Sequence, residues 1–142
     1  MVHALQEIRR ILVPGGILID LRPVADHWLV EVATAQDSWE VGRVQDLPAG
    51  LADDAASVEA LAYMSQAGWF VLEQTEIFDF LYYWDTPEEM QAYISEQWED
   101  FIALPAEVLT KIQAIWANST TGSRVRVRLK MLIAMWRKRP VN

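Results

Sequence analysis

A helix-period segment that runs into Pro14-Gly15-Gly16 and then into Ile17-Leu18-Ile19-Asp20-Leu21 constrains this chain more than any other stretch. Leu5, Ile8, Ile11 and Leu12 recur at helical spacing, with Glu7, Arg9 and Arg10 on the other side, which predicts an amphipathic helix to about Leu12. Pro14 cannot continue that helix, and the two glycines supply the dihedrals for an abrupt reversal. The apolar run that follows, closed by Arg22-Pro23, reads as a short strand buried on both faces. The order is helix, tight turn, buried strand.

Further along, two β-like stretches, Trp28 to Thr34 and Trp39 to Val44, flank Ala35-Gln36-Asp37-Ser38 and predict a small antiparallel ribbon. After a loop at Leu47-Pro48-Ala49-Gly50, a helix is expected from Asp53 to Ala67, with Asp53 or Asp54 as N-cap, Val58, Leu61, Ala62 and Met64 on its apolar face, and Gly68 at its end. Trp69 to Tyr83 reads as a long strand on which Glu73, Thr75, Ile77 and Asp79 share a face. Thr86-Pro87-Glu88-Glu89 carries a capping box and predicts a helix to about Asp100. Another is expected from Pro105 to Ala117, with Val108, Leu109, Ile112 and Trp116 on one face.

The last segment alternates Arg124, Arg126, Arg128 and Lys130 with Val125, Val127, Leu129 and Met131, which is strand periodicity. Leu132 to Trp136 is compatible with a helix, but no cap interrupts the run, so one long strand is expected.

Composition bounds the function. The 142 residues suffice for one soluble domain spanning 1–142, and the absence of cysteine excludes disulfides, thiolate metal sites and a cysteine nucleophile. A formal charge of −8 argues against general nucleic-acid binding. Seven of the twelve basic residues nevertheless lie between Arg124 and Arg139, and none lies between Arg43 and Lys111. The expected reading is internal pairing, with the arginine face against Glu73, Glu76 or Asp79 of a neighbouring strand. No secretory signal or membrane-length apolar run is evident, so a cytoplasmic protein without membrane contact is expected.

The segment from Leu5-Gln6-Glu7-Ile8-Arg9-Arg10-Ile11-Leu12 through Val13-Pro14-Gly15-Gly16-Ile17-Leu18 resembles that of class I S-adenosylmethionine-dependent methyltransferases, in which a helix ends in a Leu-x-Pro-Gly-Gly turn and feeds the fifth strand. The later order is similar too: a helix ending Ala67-Gly68-Trp69, a strand at Phe70-Val71-Leu72, a helical excursion over 85–122, and a last strand through Met131 to Lys138. The resemblance implies an α/β fold, a partial Rossmann-like sheet of the fifth, seventh and sixth strands, the last two antiparallel, with flanking helices and an extra β-ribbon. It covers the C-terminal half of such a domain. The family holds S-adenosylmethionine chiefly with its first half, through a glycine-rich turn after the first strand. Here Gly15-Gly16 precedes a strand, so no cofactor-binding residue is assigned.

Candidate site residues follow from position. Asp20 and Arg22 end the putative fifth strand, the edge of an α/β sheet at which ligands bind, although local pairing of the two is the simpler expectation. Tyr82 and Trp84, with Phe78, Phe80, Tyr83, Trp98, Phe101 and Trp116, would line an aromatic pocket under the excursion, with core packing as the simpler account for most. Asp26-His27 could act as a base with Asp20, but an exposed loop histidine is favoured, and two histidines assemble no familiar metal site. No catalytic residue is assigned.

Two functions are carried forward. The first is a methyltransferase-like protein acting on a small molecule, inactive as this chain alone and needing the missing half. The second is a stand-alone dimeric interaction or small-ligand-binding module. Without a fourth strand, Ile17 to Leu21 becomes an open apolar edge, so a homodimer or a complex with a chain supplying the other half is expected.

Overall fold

The computed structural model describes residues 2–140; residue 1 and residues 141–142, the ends of the expected 1–142 domain, lie outside the described residues. Among the described residues the chain is α/β, with four helices and strands whose ladders are mostly antiparallel. It falls into two compact units, residues 1–24, 52–78 and 131–142, and residues 25–51 and 79–130.

The first unit contains α1 (Val2–Ile11), β1 (Ile17–Pro23), most of α2 (Pro48–Gln66), the first part of β5 (Phe70–Trp84) and the end of β7 (Arg124–Lys138). Gly15 takes a left-handed φ of +76° at the reversal after α1. The turn is tied to β7, since Gly15 N–H donates to the Lys138 carbonyl at 3.1 Å and Lys138 N–H donates to that of Gly16 at 2.8 Å. β1 pairs antiparallel with β7 from Ile17 opposite Arg137 to Pro23 opposite Met131. β7 also pairs with β5. Leu5, Ala60, Met64, Phe70, Ala134 and Trp136 form the buried core, with Leu18 and Leu132 packed against it.

β1 is not buried on both faces as its composition predicts. Leu18, Asp20 and Arg22 are half-buried, whereas Ile17, Ile19 and Leu21 are exposed, because helices cover only one side of the ladder in this unit. α2 also departs from expectation. It begins at Pro48 rather than near Asp53, since proline at the first helical position lacks an N–H that would have no partner there anyway, and Leu51 N–H donates to the Leu47 carbonyl. Its buried residues are Ser57, Ala60 and Met64, while Val58 and Ala62 are exposed.

The second unit contains β2 (Leu29–Ala33), β3 (Ser38–Arg43), β4 (Gln45–Asp46), the rest of β5, α3 (Pro87–Gln97), β6 (Ile102–Ala103), α4 (Ala106–Ala117) and the start of β7. The expected ribbon is β2 paired with β3, and β2 also pairs antiparallel with β7, Val30 opposite Val127 and Val32 opposite Val125. These four valines are fully or nearly fully buried, together with Met90 and Ile112 from α3 and α4. α3 begins as predicted, with Glu89 N–H donating to Thr86 Oγ1 at 3.2 Å, while Glu89 accepts from the Asp85 N–H. It ends at Gln97, short of Asp100, because the chain turns at Trp98 into β6, which pairs with β4. β7 is one strand of 15 residues, as expected.

Candidate functional site

The polar groups of β7 organise the second unit. Glu31 lies between Val30 and Val32, so strand alternation turns it away from the valine core and onto the face of its ladder partner Arg126. Arg126 Nε donates to Glu31 Oε2 at 2.8 Å, and Arg128 Nη2 donates to both carboxylate oxygens at 3.1 Å. Arg126 Nη1 donates to the Tyr83 hydroxyl at 2.8 Å, and Asp79 accepts from Arg128 and lies 3.2 Å from Lys130. Burial pushes the Glu31 carboxyl up, but hydrogen bonds from the two arginines outweigh it and hold it below the ordinary carboxylate range.

The expected partners of the arginine face are therefore corrected in part. Asp79 serves Arg128 and Lys130, but Arg126 is held by Glu31 of β2, and Glu73 binds Arg137 in the first unit. Arg124 lies 2.9 Å from Asp85. As the partner in β5 advances from Asp79 to Tyr83, its partner in β7 retreats from Lys130 to Arg126, which is antiparallel order. The charged groups of this cluster are held to one another, with Arg128 Nε as a buried nitrogen that has no hydrogen-bond partner among the described residues. The cluster's central carboxylate went unnoticed in the sequence, although a lone charge inside a five-residue apolar strand marks it.

Tyr82 and Trp84 are brought together, ring centroids 4.8 Å apart, with Tyr93 and Trp98 packed on them at 5.2 to 5.8 Å and Trp28 against Trp98 at 6.0 Å. These spacings are those of rings in mutual contact, the core packing that is the simpler account. A side-chain hydrogen bond with Tyr82, together with burial, pushes the Tyr93 phenol up. Tyr93 and Trp28 were not anticipated; Trp28 precedes β2 and Tyr93 is one aromatic on a helix, with no local pattern to join them. Phe80 and Phe101 are exposed. Tyr83 points to the other face, beneath Arg124 and Arg126 at 5.0 and 5.6 Å.

A cleft of about 320 Å³ runs between α3, β6 and α4, with Ile94, Ile102, Leu104 and Leu109 as its apolar lining and Gln91, Ser95 and Glu99 as polar neighbours. None of the aromatic candidates lines it.

In the first unit Asp20 and Arg22 pair with each other, Arg22 Nε 3.3 Å from Asp20 Oδ2, and Arg22 Nη1 reaches Asp54 of α2 at 3.7 Å. The local pairing is the simpler expectation, and Asp54 is a second carboxylate that the expectation did not include. His27 is an exposed loop residue at a left-handed φ of 44°, its backbone N–H donating to Asp46 at 3.0 Å and its ring 3.5 Å from the same oxygen. Asp26 lies 4.0 Å from Lys130.

S-adenosylmethionine does not fit the glycine pair of this chain. The polar backbone of the Gly15-Gly16 turn is taken by β7: Lys138 binds its N–H and carbonyl groups, and Arg137 Nη1 donates to the Gly15 carbonyl at 2.9 Å. Among the described residues no helix is long and apolar enough to cross a membrane, and no group of three His, Cys, Asp or Glu could hold a metal ion. No protein-family model, curated protein or solved structure matches the chain.

Proposed function

We propose that the first unit is the fifth, seventh and sixth strand portion of a class I methyltransferase scaffold, and that the chain serves methyl transfer to a small molecule without holding the donor itself. The observation that carries this reading is the place of β7, paired with β5 and, antiparallel, with β1, the strand that directly follows the Pro14-Gly15-Gly16 turn. A short apolar strand entered through that turn and flanked by the chain's last strand is the arrangement the sequence resemblance implies. The donor site is then built by residues other than these, because the glycine turn is consumed in holding β7.

Calorimetric titration with S-adenosylmethionine tests the reading, on the purified chain and on any complex isolated with it from its native cell. Binding by the complex alone is the expected result. Binding by the chain itself would overturn the placement of the donor site. Silence in both would favour the second reading, a stand-alone interaction module, for which the uncovered apolar side of β1 speaks.

A further inference from the structure

In the first unit the side of the ladder away from α1 and α2 is apolar and uncovered. Residues directly opposite on antiparallel strands point to the same side, so Ile19 shares its face with Met135 and Leu21 with Ile133. Glu73 reaches Arg137 on this face, and strand alternation puts Ile77 of β5 there as well. Ile17, Ile19, Leu21 and Ile77 are 45, 51, 56 and 58% exposed, and Ile133 and Met135 are half-buried.

We infer that this face of β1, β7 and β5 is a self-association surface, occupied by a second copy of the chain. The inference rests on burial and charge and is independent of the methyltransferase reading. These four exposed aliphatic side chains leave on the order of 400 Å² of apolar surface, the size of the largest patch on a typical monomer, which is often functional. That is about half of the ~800 Å² each partner buries in a standard interface, and the half-buried Ile133 and Met135 beside them extend it.

Charge selects the occupant. The chain carries −8 overall, yet on this face Glu73 and Arg137 neutralise each other through paired hydrogen bonds, and Asp79, which alternation puts on the same side of β5, is held by Lys130 and Arg128. Two copies therefore meet here without net repulsion, and an acidic partner gains nothing from a face with no spare cation. β1 pairs only with β7 among the described residues, so its free edge lies beside the patch, and a two-fold axis brings the same strand from both copies together.

Light scattering and sedimentation of the full chain across a wide concentration range test this, on the wild type and on Ile19→Glu and Val58→Glu. Both substituted side chains are more than half exposed, so both variants retain the wild-type far-ultraviolet dichroism and cooperative melting. The expected result is a wild-type dimer whose dissociation constant rises at least about tenfold in Ile19→Glu and is unchanged in Val58→Glu, on the exposed side of α2. A wild type that stays monomeric, a dimer indifferent to Ile19→Glu, or association only with a different protein would each overturn the inference.

Discussion

Glu31 of β2 and Arg126 of β7 are ladder partners, and the guanidinium Nε donates to the carboxylate at 2.8 Å while Arg128 donates to the same group from the next position on that face. The carboxylate is buried, so the two arginines are held by a charge that water scarcely reaches. Replacing Glu31 with Ala leaves both cations without it and is expected to cost about 3 kcal/mol in chemical denaturation. Arg126→Glu, which sets two carboxylates opposite each other, costs at least as much. A loss for Glu31→Ala within about 0.5 kcal/mol, the range of an ordinary surface change, would show that the network contributes little.

The same pair sets the acid limit of the fold. Burial raises the carboxyl pKa of Glu31 and of Asp79, and hydrogen bonds from Arg126 and Arg128, and from Lys130 and Arg128, bring both below the ordinary value. A folded-state pKa below the unfolded one means that the unfolded chain takes up the proton first as pH falls. The stabilisation is complete above the unfolded carboxylate pKa of about 4.3 and is lost as pH falls through the folded values. Urea midpoints should hold steady from neutral pH down to about 5 and drop below about 4, with a shallower drop in Glu31→Gln.

Lys138 is buried at the end of β7, and its Nζ donates to the Arg9 carbonyl at 2.6 Å and to that of Leu12. These oxygens close the C-terminal end of α1, where helix carbonyls lack internal partners and a cation is favourable. Lys138→Met keeps the apolar stem and removes the donor. It should cost about 1–2 kcal/mol and accelerate hydrogen exchange in α1 ahead of the rest of the first unit; uniform protection would argue against a capping role.

Gly42 of β3 lies against Val108 of α4, where an added Cβ would come within 2.7 Å of a valine methyl. Val108 is buried and β-branched, so it has little room to yield. Gly42→Ala should lose about 1–3 kcal/mol, and Gly42→Ala with Val108→Ala should lose less than the two single changes added together. Strict additivity in thermal melts would show that β3 and α4 are not in the close contact described.

Much of this was legible before the structure because it is local. Thr86 and Glu89 three residues apart specify a helix start through bonds that close within one turn, and Pro14-Gly15-Gly16 specifies a reversal through backbone freedom alone. The alternation from Arg124 to Met131 names a strand whatever its neighbours are. Asp20 and Arg22, two positions apart, find each other for the same reason.

What escaped depends on which distant segment arrives on which side. Glu31 and Arg126 are 95 residues apart, and only the ladder decides that Glu31, rather than a carboxylate of β5, takes Arg126. Tyr82 and Tyr93 lie on different elements, so their stacking with Trp28 and Trp98 into one cluster is set by how α3 returns over the strands. The sequence by itself determined the longer elements, the N-cap of α3 and the cationic face of β7, because those follow from bonds and periods within a few residues. Only the tertiary structure decided that β1 is covered on one side alone, because burial is a property of what packs against a strand and not of the strand's own composition.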